Sequence, residues 1–493
     1  MTFTKAFQRR GLHATRRAAG TGYGHGRYAL VAGTSVAIAA GIVVSISGKD
    51  RALQLDSDNN PNVRSLAYER RPSKGEHLRK LDRTTIDQRL NAGAESHVVD
   101  TRSGIYRYDV AQLASNQPCE DEHTEVQLPV PSGIWSFFAV MDGHSGGETS
   151  KWLRENLIPA VAGALADLYG AVSRQCSYVS LPEADIEKNI KATFLRLDDD
   201  IVNDAVERAL ASESKEAAVQ LLAPAYAGSC ALLAFYESDS RILRVAITGD
   251  SRAILGRRVQ DANGRTRYEV RLLSTEQDGH NVAEEYRLNA EHLGEVVVKN
   301  GRVLSMGPSR AFGDARYKWG RDVQARLKRT YLGRSIFPDV KTPPYLTAEP
   351  ELTMTKIKPG DFMIMASDGL WESLSSEDAV GLVGWWLEGK HDTSTKEPKH
   401  LPVVADEESL EGPSVRYRQW NTKQRFVNVD SNAATHLIRN ALGGSDQDLL
   451  AALLSMGSAR SRVYRDDITA TVVFFNDESD SSNGSTAVPT QSS

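Results

Sequence analysis

The stretch CALLAFYESDSRILRVAITGDSRAILGRR, residues 230–258, constrains the fold more than any other part of this sequence. It contains apolar runs rich in strand-forming residues, separated by short turn signals at Glu237–Ser240 and Gly249–Asp250. Connections this short cannot hold the crossover that parallel neighbours need, so we predict consecutive antiparallel strands. The runs IWSFFAVMD (134–142) and DDITATVVFF (466–475) predict two further strands.

Segments with apolar residues at helical spacing lie between these strands. Residues 150–170 and 185–206 show the pattern, and residues 375–389 begin with Ser375 followed three positions later by Asp378, a typical helix start. Antiparallel hairpins combined with segregated long helices predict an α+β fold in which helices cover the sheets.

Aspartates recur where the predicted strands meet tight turns. Asp142, Asp250 and Asp368 each follow an apolar run, and Asp466 begins the last one. Carboxylates that crowd together raise each other's pKa unless cations lie among them, and oxygen-only ligand sets suit Mg²⁺ and Mn²⁺. A single aspartate in a turn is more often only turn-forming. The full set in its order predicts a metal site.

The segment GHSGG, residues 143–147, suggests an alternative, because it fits the nucleophile elbow of an α/β-hydrolase with Ser145 as nucleophile. That fold needs a mostly parallel sheet and a glycine-rich oxyanion loop upstream. The sequence predicts antiparallel hairpins instead, and no such loop precedes Trp135. We therefore favour a metal-binding Asp142 over a nucleophilic Ser145.

Taken together and in order, the motifs resemble those of the metal-dependent type 2C protein serine/threonine phosphatases. The matching segments are CED (119–121), FFAVMDGHSGG (137–147), GSCALLA (228–234), TGDSRAIL (248–255), SRAFGDARYK (309–318), MASDGLWE (365–372) and RDDITATVV (465–473). The resemblance implies a catalytic domain at residues 100–476. It also implies a four-layer αββα sandwich of two antiparallel sheets flanked by helices, with a metal cleft at one edge between the sheets.

The resemblance further implies a set of ligands for two Mg²⁺ or Mn²⁺ ions and a weaker third. The residues are Glu120, Asp142 and the carbonyl of Gly143 for one ion, Asp142, Asp368 and Asp466 for a second, and Asp250 with Asp368 for the third. A hydroxide bridging the first two ions would attack phosphorus directly. Asp121 would support the ligands.

His144 lies next to the bridging aspartate in the sequence. The resemblance implies that it protonates the leaving serine or threonine oxygen, a form of general acid catalysis. The alternative is a turn histidine that only hydrogen-bonds a carboxylate. In either case Ser145 has no nucleophilic role.

The sequence departs from the family pattern at two positions. Asn116 stands where many members carry a phosphate-binding arginine, and an amide cannot supply the charged, bidentate contact of arginine. Another cation is then needed, which the sequence does not identify. Asp467 stands where the family usually has asparagine. The pattern Asn-x-Pro-x-Glu-Asp at residues 116–121 resembles the pyruvate dehydrogenase phosphatase branch.

The N-terminus differs in composition from the rest of the chain. Residues 1–27 are basic, and no Asp or Glu precedes Asp50, which predicts a mitochondrial transit peptide or, alternatively, a disordered basic tail. Residues 28–48 are uncharged and long enough to cross a bilayer, which predicts an inner-membrane anchor. The alternative is a sorting segment that is cleaved off or passes wholly through the membrane.

Residues 49–99 are predicted to be a linker, and residues 477–493 are predicted to be a disordered tail.

These features predict a mitochondrial, Mg²⁺- or Mn²⁺-dependent phosphatase of phosphoserine and phosphothreonine proteins, with the pyruvate dehydrogenase complex as candidate substrate. The location would be the inner membrane or the matrix. The net charge of −5 gives no reason to expect a nucleic-acid partner. The other hypothesis is a catalytically silent regulator that binds phosphoproteins. Silent members usually lack an acidic metal ligand. This hypothesis is disfavoured because Glu120, Asp142, Asp368 and Asp466 are all present here.

The long polar segments 315–348 and 389–432 have two interpretations. They are either substrate-recognition elements near the cleft or solvated charge runs.

Overall fold

The computed structural model describes residues 80–175, 181–330, 332–333, 335–389, 400–404 and 414–476. The helices are α1 Arg83–Leu90, α2 Glu148–Gln175, α3 Glu183–Asp199, α4 Ala205–Ala211, α5 Lys215–Tyr226, α6 Val282–Glu291, α7 Arg321–Arg329, α8 Asp368–Trp371, α9 Ser376–Leu387, α10 Val415–Trp420, α11 Ala433–Ala441, α12 Gln447–Ser455 and α13 Ser458–Tyr464. The strands are β1 Ala94–Val98, β2 Ile105–Leu113, β3 Glu122–Val130, β4 Gly133–Met141, β5 Gly143–His144, β6 Gly228–Ser229, β7 Ala231–Glu237, β8 Ile242–Thr248, β9 Arg252–Gln260, β10 Thr266–Leu272, β11 Val298–Lys299, β12 Arg302–Val303, β13 Phe312–Gly313, β14 Glu351–Lys356, β15 Phe362–Ala366, β16 Val403–Val404 and β17 Ile468–Phe475.

Two large sheets organise the described chain. One has seven strands in the order β1-β2-β17-β15-β9-β10-β16, and the other has five in the order β14-β8-β7-β4-β3. All neighbours in these sheets are antiparallel except the short β16, which runs parallel to β10. The predicted α+β class with antiparallel sheets is confirmed.

The central strands of both sheets are buried on both faces, whereas strands nearer the edges, such as β1 and β14, are partly exposed. In β4, Phe137 and Ala139 pack against the helices that cover the five-stranded sheet, whereas Phe138 and Val140 face the core between the two sheets. β15 alternates in the same way in the other sheet. Successive side chains of a strand point to opposite faces of the sheet. A strand that is packed on both faces therefore needs an unbroken run of apolar residues. The result is the expected order of helices, sheet, sheet, helices.

The predicted helices are confirmed with small changes in their bounds. α2 contains the predicted segment 150–170, and the segment 185–206 forms α3, one π-helical turn at Asp200–Asp204 and the start of α4. Ser375 caps α9, and its side chain and that of Asp378 exchange hydrogen bonds with each other's backbone N–H groups. Local sequence therefore determines these helix starts.

The prediction that β8 and β9 pair as antiparallel neighbours is wrong. β7 and β8 do pair, but both edges of β8 are occupied, by β7 and by β14, so the chain leaves the sheet after β8. β9 lies in the seven-stranded sheet. Gly249 adopts a φ of +112° at this corner, a conformation that favours glycine. The short connection therefore carries Asp250 from one sheet to the other.

The predicted linker at residues 49–99 is wrong for its C-terminal part. Residues from Lys80 onward are described, and they form α1 and β1. Ile86 and Leu90, four positions apart, are each 1% exposed in the helix layer over the seven-stranded sheet. β1 joins that sheet through backbone pairing with β2, which requires no apolar side chains. The apolar signal is therefore sparse although the segment is folded.

The predicted transit peptide at 1–27, the anchor at 28–48 and the tail at 477–493 lie outside the described residues. Within the described part of the chain, no helix combines the length and the apolar character needed to span a membrane.

A buried ion cluster ties α6 to the loop before β13. Glu284 accepts hydrogen bonds from Arg310 Nη2 at 2.6 Å, from Arg287 Nη2 at 2.7 Å and from Ser309 Oγ at 2.6 Å. Burial alone would raise the pKa of Glu284, but these hydrogen bonds outweigh it and lower the pKa to about 2. The ionised form of Glu284 is therefore strongly favoured in the folded chain.

Glu284→Gln is expected to lower the free energy of unfolding by about 3–5 kcal/mol at pH 7, because Arg310 loses its buried counter-ion. The folded pKa lies below the unfolded value of about 4.3, so the wild-type contribution is complete above that pH and is lost as the pH falls toward 2. The loss should therefore shrink at pH 3. Urea unfolding at pH 7 and pH 3 measures it, with the exposed neighbour Glu285→Gln as control. An equal loss at both pH values would contradict the assignment.

Candidate metal centre

Three carboxylates meet at one edge of the sandwich. Asp142 follows β4 and Asp250 follows β8 in the five-stranded sheet, and Asp368 follows β15 in the seven-stranded sheet. One carboxylate oxygen from each lies within 4.8 Å of the other two. The backbone N–H of Asp368 also donates to Asp142 Oδ2 at 3.3 Å. Strand ends from both sheets thus deliver distant acids to one place, called here the carboxylate cluster.

The carboxylate cluster concentrates negative charge where solvation is poor. Burial, then the charges of Asp121 and Asp250, raises the pKa of Asp142 well above its usual value. Burial, then the charges of Asp142 and Asp250, does the same to the pKa of Asp368. Carboxylate oxygens of three half-buried aspartates that repel one another are the donor set that a hard divalent cation neutralises. The cluster therefore fits a metal ion such as Mg²⁺ or Mn²⁺.

Asp467 organises the loop that carries Glu120. Its buried carboxylate accepts a hydrogen bond from the backbone N–H of Ser115, from that of Asn116 at 2.8 Å and from that of Glu120 at 2.9 Å. Asparagine has one acceptor oxygen in its side chain, whereas aspartate has two. The carboxylate at this position therefore fixes the loop beside the cluster.

Asp121 connects the loop of Glu120 to β15 and β17 of the seven-stranded sheet. Its Oδ2 accepts from Ser367 Oγ and from Thr469 Oγ1, both at 2.8 Å. Burial and the charge of Asp467 raise the pKa of Asp121 to about 8. Since Ser367 immediately precedes Asp368, Asp121 acts as a support behind the carboxylate cluster.

Glu120 and Asp466 are not members of the trio, but they approach the glycines that follow Asp142 and Asp368 in the sequence. A Cβ at Gly143 would lie 2.1 Å from the carbonyl oxygen of Glu120, so the loop approaches the residue after Asp142 as closely as only glycine allows. Asp466 forms an ion pair with Arg462 and accepts from the backbone N–H of Asp467 at 2.6 Å. The predicted ligands are thus gathered in one region, with Asp142, Asp250 and Asp368 in closest contact.

His144 is held by a carboxylate outside the predicted set. Its Nε2 lies 2.6 Å from Asp314 Oδ2, and the Asp314 side chain is buried. Burial lowers the pKa of His144, but the charge of Asp314 and its hydrogen bond outweigh this effect and raise the pKa. Ser145 is exposed at a φ of +60°. His144 therefore faces Asp314, which is not the geometry of a base that activates Ser145.

Two charged residues at this site, Asp314 and Arg462, were not predicted. Asp314 belongs to the matched segment 309–318, but only the fold brings it to His144. Arg462 stands four positions before Asp466, a spacing that brings opposite charges together near a helix. That spacing is a signal that could have identified Arg462.

Comparisons with known proteins place this chain among protein phosphatases. The family model described as protein phosphatase 2C matches residues 114–398. A protein phosphatase 2C homolog of Schizosaccharomyces pombe is 40% identical over 92% of this chain and 96% of that protein. The mitochondrial pyruvate dehydrogenase (acetyl-transferring) phosphatase 1 of Saccharomyces cerevisiae is 38% identical over 85% of this chain and 77% of that protein. The human protein of the same name is 31% identical over 76% of this chain and 78% of its own length.

Proposed function

The chain belongs to the protein phosphatase 2C family, and from this membership we propose an activity for it. We propose that it is a metal-dependent phosphatase that acts on phosphoserine and phosphothreonine in mitochondrial proteins. The observation that carries the proposal is the carboxylate cluster of Asp142, Asp250 and Asp368, with oxygens within 4.8 Å of one another. Two relatives are named as mitochondrial pyruvate dehydrogenase phosphatases. We therefore propose the pyruvate dehydrogenase complex as the substrate.

The proposed metal ligands are the side chains of Glu120, Asp142, Asp368, Asp466 and Asp250, with the carbonyl of Gly143. The charge of the carboxylate cluster and its position at the edge between the sheets support this set. Mg²⁺ or Mn²⁺ held there would supply the Lewis acid that activates water and stabilises charge on the phosphoryl oxygens. Two ions, with a weaker third, are the proposed number.

The residues around the ligands have separate proposed tasks. Asp467 and Asp121 hold the loop of Glu120 and the strand end of Asp368 in fixed positions. His144, oriented by Asp314, would donate a proton to the serine or threonine oxygen as it leaves.

The mitochondrial location rests on the named relatives and on the basic N-terminal segment 1–27. An anchor at residues 28–48 remains a prediction from the sequence, because these residues lie outside the described ones. A matrix location without an anchor is the alternative.

Phosphate release by the purified full chain tests the proposed function. We expect release from the phosphorylated pyruvate dehydrogenase complex that requires Mg²⁺ or Mn²⁺, stops with a chelator and returns when metal is restored. Phosphorylated casein is the comparison substrate. Equal rates on both proteins would contradict the substrate assignment alone. The absence of metal-dependent release from either would contradict the enzyme and favour a phosphoprotein-binding regulator.

A further inference from the structure

We propose that Arg462 binds the phosphate group of the substrate at the open side of the carboxylate cluster. This inference rests on the proposed phosphatase function and deepens it, because it assigns a residue to substrate binding. A phosphate that approaches several carboxylates is repelled by them, so a cation beside the cluster would lower the cost of binding. The sequence leaves that cation unidentified, since the usual arginine position holds Asn116.

Asn116 is committed to other partners. Its Nδ2 donates to Asp467 Oδ2 at 3.1 Å and to Glu120 Oε2 at 3.3 Å. An amide nitrogen has two donors, and here both partners of that nitrogen are carboxylates of the protein. Asn116 therefore stabilises the loop of Glu120 and carries no positive charge to offer a phosphate.

Arg462 lies where a residue that binds the substrate phosphate would be needed, beside a proposed metal ligand. It lies on α13, and its Nη1 forms the ion pair with Asp466. The Arg462 side chain is 45% exposed, whereas the Asp466 side chain is 14% exposed, so Arg462 is the more accessible partner of the pair. A substrate that enters from solvent would meet Arg462 before it reaches the carboxylate.

The positive charge of Arg462 acts on three of the proposed metal ligands. Burial and neighbouring acids raise the pKa of Glu120, Asp142 and Asp368, and in each case the charge of Arg462 opposes that rise. A guanidinium carries five N–H donors in a planar fork, and the contact with Asp466 is made through one nitrogen. The fork can therefore hold Asp466 and still donate to phosphate oxygens.

Two other arginines near the site are engaged elsewhere. Arg465 is 5% exposed and donates from Nη2 to the carbonyl of Ala114 at 2.8 Å. Arg252 donates from Nη2 to Glu276 at 2.6 Å, and its guanidinium lies 5.0 Å from the centre of the Trp371 ring. These contacts hold each side chain in the protein, which leaves Arg462 as the candidate of the three.

The test compares Arg462→Gln with Arg460→Gln in the full chain. Arg460 lies on the same helix and is exposed, so the control removes the same charge from the same element. The probe is inorganic phosphate, measured as a competitive inhibitor and by calorimetric titration of the Mn²⁺-loaded chain. Mn²⁺ affinity is measured separately, and Arg462→Lys is the conservative variant.

We expect Arg462→Gln to weaken phosphate binding by roughly 10- to 100-fold and to raise KM for a phosphoserine peptide in parallel. Arg462→Lys should fall between, since lysine keeps the charge without the fork. Arg460→Gln should stay within about 2-fold of wild type. Mn²⁺ affinity should not fall in any variant.

Equal phosphate affinity in the two glutamine variants would overturn the inference. So would a loss of Mn²⁺ affinity in Arg462→Gln that accounts for its loss of phosphate binding, because Arg462 would then only maintain the ligands. Metal-dependent hydrolysis by the unchanged chain tests the proposed function separately, so the two failures are distinguishable.

Discussion

Asp142→Asn is expected to lower the rate of phosphoserine-peptide hydrolysis by more than about 10³-fold. Loss of a residue that merely supports a metal ligand costs roughly 10- to 100-fold, and Asp142 is a proposed ligand at the centre of the carboxylate cluster. Asparagine keeps the size of the side chain but removes one negative charge and one acceptor oxygen. Peptide hydrolysis and Mn²⁺ titration should both show the loss.

The same experiment includes a control for folding and a control for Ser145 as the alternative nucleophile. Asp142, Asp250 and Asp368 are poorly solvated and repel one another, so Asp142→Asn should not lower the thermal stability of the chain in chelator. Ser145→Ala changes an exposed side chain in the same turn and should leave the rate within about 2-fold of wild type. If Ser145→Ala abolished hydrolysis and Asp142→Asn spared it, the metal interpretation would be wrong.

The layered fold was largely predictable because its signals are local. The alternating faces of β4 are both buried, so its run of apolar residues is unbroken, and the turn before β8 is short enough to require a hairpin. The cap of α9 depends on two residues three positions apart. Each of these signals lies within a few residues of the element that it specifies.

The errors in the fold came from information that is not local. The turn at Gly249–Asp250 is as short as a hairpin turn, but β14 occupies the edge of β8 that β9 would need. β14 follows β8 by about one hundred residues, and no pattern near the turn reveals it. Likewise, β1 is held by backbone hydrogen bonds to β2, which leave little trace in its side chains.

The same distinction applies to the candidate site. The order of aspartates at strand ends predicted Asp142, Asp250 and Asp368, which the fold brings together. Arg462 lies only four positions from its partner Asp466, but the partners of His144 and of the Glu120 loop could not be predicted, because those contacts join distant segments. Asp314 meets His144 across 170 positions, and Asp467 meets the loop of Glu120 across 347.

His144→Gln is expected to lower kcat for a phosphoserine peptide by roughly 10²- to 10⁴-fold, the usual contribution of a general acid. The serine alkoxide is a poor leaving group that requires a proton. p-Nitrophenolate is a stable anion that does not, so hydrolysis of p-nitrophenyl phosphate should be far less affected. The ratio of the two losses is the readout, because damage to the metal ligands would reduce both activities together.

Asp314→Asn distinguishes two effects of Asp314 on His144, namely the hydrogen bond that orients the ring and the charge that favours its protonated form. Asparagine can still accept the hydrogen bond from His144 Nε2, but it no longer carries the charge that favours the protonated ring. We expect a smaller loss than in His144→Gln, again selective for the phosphoserine peptide. In the double variant the two losses should not add, because Asp314 would act through His144 alone. Equal losses on the peptide and on p-nitrophenyl phosphate in both single variants would instead identify His144 as a turn histidine that stabilises the loop after β4.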